Sequence, residues 1–303
     1  TSNDTAGRVA SVELAIAEGY NVIVMPGYAF GGTIAEVSGN YPEIKFIALD
    51  VAAGDLLETA VALKGESYDY NPDNWTLTDY VYMDNVYCAI YQEELSGYMA
   101  GYAAVKLGYT KLGFLGGMAV PAVMRFGYGY VQGGDAAAKE LGITVDMKYA
   151  YGNQFFGDAD ITAVMDTWYQ GGTEIVFACG GGIYTSALEA AEKNGGKVIG
   201  VDVDQSYISP LIITSAMKQL QNVTETVLEA LNTGAWETYS GKISNFSLAE
   251  GEYVGLPTAT WSLEKVTVEQ YEAVKAQLKA GEIVVDNGTE AMPEVTITVN
   301  EIA

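Results

Sequence analysis

Two aspartates, Asp50 and Asp202, each close a short apolar run. A carboxylate at such a strand end can accept hydrogen bonds from two vicinal hydroxyls, which suits a sugar or a ribose ring. The competing role is an N-cap for the turn that follows. Lys218 ends the segment ITSAMK, where the pattern places it at the start of a helix after a strand. An ammonium there could balance Asp202 and donate to a hydroxyl, or it could be a solvated helix lysine. The segment YAYGNQFFGDAD sets Phe155 and Phe156 in a turn. One of these rings could stack on a flat heterocycle, with packing between lobes as the alternative. Gly27, Gly116, Gly117, Gly180, Gly181 and Gly182 all follow apolar runs. The backbone must approach something closely at these turns, be it a ligand or a packed helix.

Other chemistry is excluded or unsupported. The turn GGGIYT has a threonine where a dinucleotide fingerprint needs its third glycine, and no GK[ST] occurs, so neither phosphate-binding motif is present. The chain has no histidine, which removes Ser-His-Asp and Cys-His nucleophilic sites and every His-based metal centre. Asp50 and Asp202 could serve as a glycoside-cleaving pair, but nothing in the sequence sets their separation. With 39 acidic against 15 basic residues the net charge is −24, and such a surface repels nucleic acid and anionic lipid. Cys88 and Cys179 lie in strand-like runs, as buried thiols or as a disulfide, and leave the compartment open. No apolar run approaches the ~18–20 residues of a spanning helix.

The 303 residues suit two α/β cores. Continuous Val/Ile/Phe runs alternate with helical segments, which predicts parallel strands joined by right-handed crossovers. Helices are expected near 8–18, 93–107 and 216–232, and strands at 21–26, 45–50 and 84–91. An internal repeat reinforces this. The blocks ending at Asp50 and Asp202 share the order helix, Gly, strand, Gly turn with aromatics, helix, strand, Asp. Aligning Gly27 with Gly180 places Asp50 one residue from Asp202. The β-α-β of residues 111–153 then has no upstream partner, so the first lobe is expected to lack its opening β-α-β.

The stretches VIVMPGYAF, YPEIKFIALD, EELSGYMAGYAA, KLGFLGG, RFGYGYVQGG, YGNQF, VIGVDVDQ and ITSAMK together resemble the basic membrane protein (PnrA-like) family of solute-binding lipoproteins, the purine-nucleoside-binding components of ABC importers. The resemblance implies a type I periplasmic-binding fold with two doubly wound Rossmann-like lobes joined by three crossings. The first lobe is expected at 1–90 plus 216–250, the second at 91–215 plus 251–303. It also implies a monomer, without metal, cofactor or catalysis, that closes on a purine nucleoside in the interlobe cleft. A membrane permease would receive it, on the extracellular face of the cell membrane, through a lipid anchor not contained in this chain. Position by position, Phe155 matches the family's stacking phenylalanine. Asp202 matches the first aspartate of GVDxDQ, and Lys218 the lysine of TSxxK. Gly180 and Gly181 match the turn against the ligand; Asp50 fits the first-lobe acid more loosely, and Gly27 is its neighbouring turn. The family's Asp-x-x-Phe-Asn motif is not found. Three other readings stay open: a sugar- or autoinducer-binding protein on the same fold, a nucleoside hydrolase, and the sensor domain of a receptor.

Overall fold

The computed structural model of the chain describes residues 4–302. The elements follow in the order α1 (Thr5–Ala17), β1 (Val22–Pro26), α2 (Phe30–Val37), β2 (Lys45–Leu49), α3 (Ala53–Leu63), β3 (Val86–Tyr91), α4 (Glu93–Lys106), β4 (Lys111–Gly116), α5 (Pro121–Leu141), β5 (Asp146–Tyr151), α6 (Ala159–Gln170), β6 (Ile175–Cys179), α7 (Tyr184–Asn194), β7 (Lys197–Asp202), β8 (Ile212–Lys218), α8 (Leu220–Asn232), β9 (Ile243–Phe246), β10 (Val254–Gly255), α9 (Val268–Lys279) and β11 (Thr298–Ile302). Two compact units divide them. The first takes the chain up to Tyr91 and Leu220–Phe246; the second takes Gln92–Gln219 and everything from Ser247 onward. The chain therefore passes from one unit to the other after Tyr91, after Gln219 and after Phe246.

The first unit carries a four-stranded parallel sheet in the order β1-β2-β3-β9. Its core is aliphatic and aromatic, with Phe46, Ile34, Leu56 and Val86 fully buried. Asn85, buried at the entry to β3, donates to the carbonyls of Ser38 and Tyr41 and ties the turn before β2 to the sheet. The sheet's last strand, β9, was not anticipated, because ISNF is short and half polar.

The second unit carries a seven-stranded sheet in the order β10-β8-β7-β6-β4-β5-β11, parallel except for β10. Its opening strand β4 lies between β5 and β6, the central place that a doubly wound sheet gives its first strand. In the first unit β1, the repeat counterpart of β6, pairs with β2 alone among the described residues. Val24 there is 37% exposed, whereas its counterpart Phe177 is fully buried. The helical pattern expected from 216 gives way to strand. Lys218 is the last residue of β8 and not the first of a helix, and α8 begins at Leu220. β8 is hydrogen-bonded on both sides, to β7 and to β10, and that pairing outweighs local helical preference.

The C-terminal segment closes the far edge. β11 pairs in parallel with β5, and the buried Asp135 carboxylate accepts hydrogen bonds from Thr296 N (2.8 Å), Thr296 Oγ1 (2.6 Å) and Ile297 N (3.2 Å). Lys139 Nζ stands 2.6 Å from the other oxygen of Asp135.

The tightest packing is between α4 and α5. A Cβ on Gly97 would lie 2.1 Å from the carbonyl oxygen of Phe126, and one on Gly129 would lie 2.1 Å from that of Glu94. The two helices thus meet backbone to backbone, and this fixes Glu93, Glu94, Arg125 and Phe126 relative to one another. Gly97→Ala must push the helices apart, so we expect it to destabilise the second unit by about 3 kcal/mol. Denaturant unfolding checks this; an unchanged midpoint would show that the seam can relax at no cost.

Candidate functional site

In parallel sheets the loops beyond the carboxyl ends of the strands collect the residues that meet ligands. In the second unit that edge carries Gly116 ending β4 and Gly117 after it, the turn with Phe155 after β5, Gly180–Gly182 after β6, Asp202 ending β7 and Lys218 ending β8. In the first unit the same edge carries Gly27 after β1 and Asp50 after β2.

The three glycines of IVFACGGGIYT are answered by Phe155. A Cβ on Gly117 would stand 2.4 Å from Cδ1 of that ring, and one on Gly180 would stand 2.8 Å from it. Gly182 N donates to Phe155 O at 2.7 Å, and Phe156 forms a parallel bridge with Gly182. The ring is half-buried on a bed of bare backbone. The turn around it is clipped by Gln154, whose Nε2 donates to Phe156 O (3.1 Å) and Asp158 Oδ2 (2.7 Å). Asp158 in turn caps α6, accepting from Ile161 N at 2.8 Å. Phe156 is 58% exposed. Because Gly182 N is already spent on Phe155 O, the turn is not an open phosphate cradle.

Asp50 and Asp202 share an unusual backbone. Both are left-handed, with φ of +61° and +67°, and the glycines of the two turns match as well, Gly27 at +126° and Gly180 at +128°. The internal repeat is therefore a repeat of conformation. An N-cap residue takes an extended backbone, so neither aspartate is one. The N-cap of α3 is Ala52, whose N–H donates to Asp55 Oδ2 at 2.7 Å. Left-handed non-glycine residues cost about 1–3 kcal/mol each and persist where the surroundings over-determine them. For Asp202 one determinant is Gln205, whose Oε1 accepts from Val201 N (3.0 Å) while its own N–H donates to Ser215 Oγ (3.0 Å). Gly200 leaves room for that side chain, since a Cβ there would meet Gln205 Oε1 at 2.4 Å.

The second unit brings Asp202 and Lys218 together. Lys218 Nζ stands 3.1 Å from Asp202 Oδ1, with the lysine side chain 4% exposed and the aspartate 33%. It also lies 5.3 Å from the centre of the Phe126 ring. The pair can offer an acceptor and a donor to adjacent hydroxyls. Phe155 with Gly180 and Gly181 forms the second grouping on this edge. Gly27 and Asp50 form a third, in the first unit, where Gly27 N donates to Leu49 O at 2.7 Å.

Sequence reasoning missed the acids and the arginine beside this edge. Glu93 is fully buried and pairs with Arg125, Nε to Oε2, at 2.7 Å. Ser96, one turn on, donates to the carbonyl of Met217 at 2.7 Å, which ties α4 to the end of β8. The signal available was the scarcity of basic residues, which makes each buried one conspicuous. Both cysteines are buried, and neither is in a disulfide. Among the described residues no group of three or more Asp, Glu, Cys or His could hold a metal ion, and no helix is long and apolar enough to cross a membrane.

Glu94 is 2% exposed, and its Oε2 has no hydrogen-bond partner among the described residues. Burial pushes its carboxyl up to about 7, and the neighbouring Glu93 carboxylate adds to the rise. The folded chain therefore keeps a proton that the unfolded chain loses near pH 4.5. The stability this permits is full below that value and drains away as pH rises through about 7. Glu94→Gln carries no charge to bury, so relative to wild type it gains on the order of 2 kcal/mol between about pH 4.5 and pH 8. Unfolding curves at the two pH values check this; an equal difference at both would show that Glu94 ionises normally.

Comparison with known proteins follows the same lines. The family profile described as ABC transporter substrate-binding protein PnrA-like matches residues 1–288. Basic membrane protein B of Borreliella burgdorferi is 28% identical over 267 residues, covering 86% of this chain and 69% of that protein. The ABC transporter nucleoside-binding protein BmpA of Lactococcus lactis is 32% identical over 213 residues, covering 63% of this chain and 59% of that protein, so the chain spans under two thirds of its length. The crystal structure of a solute-binding protein of an ABC transporter system from Aeropyrum pernix superposes with a TM-score of 0.71 at 20% identity, over 94% of this chain and 83% of that one. The fold is that of the type I periplasmic solute-binding proteins, and the chain belongs to the PnrA-like (Bmp) family of ABC transporter substrate-binding proteins.

Proposed function

We propose that the chain binds a nucleoside, with a purine base, and delivers it without chemical change to a membrane permease. The observation that supports this reading is the pairing of two surfaces on one sheet edge. Phe155 on its glycine bed is a rigid aromatic platform for a flat base, and Asp202 with Lys218 offers an acceptor and a donor for ribose hydroxyls. The Lactococcus relative carries nucleoside binding in its name. Phe155, Gly180 and Gly181 serve the base and Asp202 and Lys218 the ribose. The protein works as a monomer outside the cell membrane, held there by a lipid, and needs no cofactor.

A purine nucleoside at about 100 times its dissociation constant adds roughly 2.7 kcal/mol of stability. A melting series with guanosine, inosine, adenosine, uridine, ribose and galactose therefore separates the candidates. We expect purine nucleosides to raise the melting temperature and Asp202→Ala to abolish the rise. Phe155→Ala should weaken purine binding about tenfold or more, the worth of one stacked base. A rise with free sugars alone would make this a sugar-binding protein, and metal-dependent release of free base would make it a hydrolase.

A further inference from the structure

A cavity of about 310 Å³ opens in the second unit between β10, residues 257–259 and α9. That volume is near the lower end of the ~300–1,000 Å³ range of small-molecule sites, so it admits a single ring and little more. Val254, Leu256 and Pro257 supply an apolar wall. Two polar side chains enter from one face of α9, four residues apart, and both are more than nine-tenths buried: Tyr271 is 4% exposed and Lys275 is 8% exposed. Lys275 Nζ lies 5.6 Å from the centre of the Tyr271 ring and reaches Glu252 Oε1 at 3.0 Å and Glu272 Oε1 at 3.3 Å.

The phenol is the telling group. Tyr271 Oη accepts from Leu256 N at 2.9 Å, and its own O–H has no acceptor among the described residues. A buried phenol ordinarily places that proton on a partner, and this one lines a cavity. Gln219 lines the same space, and its carboxamide, both donor and acceptor, has no partner among the described residues. Asp204, also in the lining, accepts from Thr260 Oγ1 at 2.6 Å and Ser206 N at 3.0 Å, which leaves a lone pair on each oxygen.

Charge narrows the occupant. An anion would meet Asp204, Glu252 and Glu272, and a cation would meet Lys275. A neutral molecule avoids both penalties. It needs acceptors for the phenol and the amide N–H groups, and donors for Asp204 and the amide oxygen. Hydroxyl groups supply both from one atom. We infer that this cavity is a second ligand site, which takes a neutral polyhydroxylated molecule of monosaccharide size and reads it through the Tyr271 hydroxyl. The inference is independent of the nucleoside reading, which concerns Asp202, Lys218 and Phe155.

Calorimetric titration of the full chain tests it, with D-ribose, D-galactose and myo-inositol as neutral probes and glutamate and putrescine as charged ones. Melting temperature checks that each variant folds. At least one polyol should bind, and neither charged probe. Tyr271→Phe, which deletes only the hydroxyl, should raise the dissociation constant of that polyol about tenfold. Thr258→Trp crowds the cavity from an exposed lining position, leaves the buried pair in place, and should abolish polyol binding. Asp202→Ala should remove guanosine binding and leave polyol binding as it is. Failure of all three polyols to bind overturns the inference and leaves the nucleoside reading intact. Polyol binding that Asp202→Ala removes, or that Thr258→Trp spares, also overturns it, since the polyol then sits elsewhere. Binding of glutamate or putrescine in place of the polyols overturns the neutral class. Failure of guanosine alone overturns only the nucleoside reading.

Discussion

An ammonium removed from water has to be compensated, and the architecture of the second unit's sheet edge follows from that requirement at Lys218. Taking a lysine out of solvent costs several kcal/mol unless charge and hydrogen bonds meet it. The compensation comes from Asp202 on the adjacent strand, and β7 and β8 are in the register that makes it possible, with Asp202 opposite Met217, one residue before Lys218. For the carboxylate to reach across, Asp202 takes a left-handed backbone, which the Gln205 clip over Gly200 over-determines. The ring of Phe126 closes the other side, and it stands where it does because α4 and α5 touch along their glycines. One buried charge thus accounts for a strained aspartate, a folded-back glutamine and a bare helix seam.

The first unit repeats the backbone of this device. Gly27 and Asp50 reproduce the φ angles of Gly180 and Asp202 within a few degrees. Asp50 N donates to Ala89 O at 2.8 Å, so β3 lies beside β2 as β8 lies beside β7. Continuing that register, Tyr91 falls where Lys218 falls in the second unit. The two strand-end acids thus share one backbone conformation in both units.

Much of this was legible in the sequence. The strand–helix alternation reports parallel sheets because buried parallel strands must be apolar on both faces. The repeat singled out Gly27, Gly180, Asp50 and Asp202 because conformation at a strand end demands a glycine or a small polar residue whichever copy it occupies. Lys218 was placed on a helix because AMKQLQNVTETVLEAL has the right period. What extends the strand through it is pairing with β10, some 36 residues away in sequence, which no local pattern contains. Glu93, Glu94, Arg125 and Phe126 were missed for a related reason. They lie in stretches that read as ordinary helix, and their significance arises only where two helices come into backbone contact.

The glycine turn shows how sequence and structure divide the work. Three glycines after an apolar run announce close approach, and phosphate is the usual suspect for such a turn at a helix N-terminus. Here the approaching object is Phe155 of the same chain, and one of the N–H groups that would have met an anion donates to its carbonyl instead. A side chain on Gly117 or Gly180 would lift the ring from its bed, so these glycines serve the phenylalanine. A turn of the kind that elsewhere binds charge has become the support for an aromatic face. That exchange also fits the character of the chain: with a net charge of −24, its surface repels anions, and a turn that spends its N–H groups on its own chain has no anion to hold.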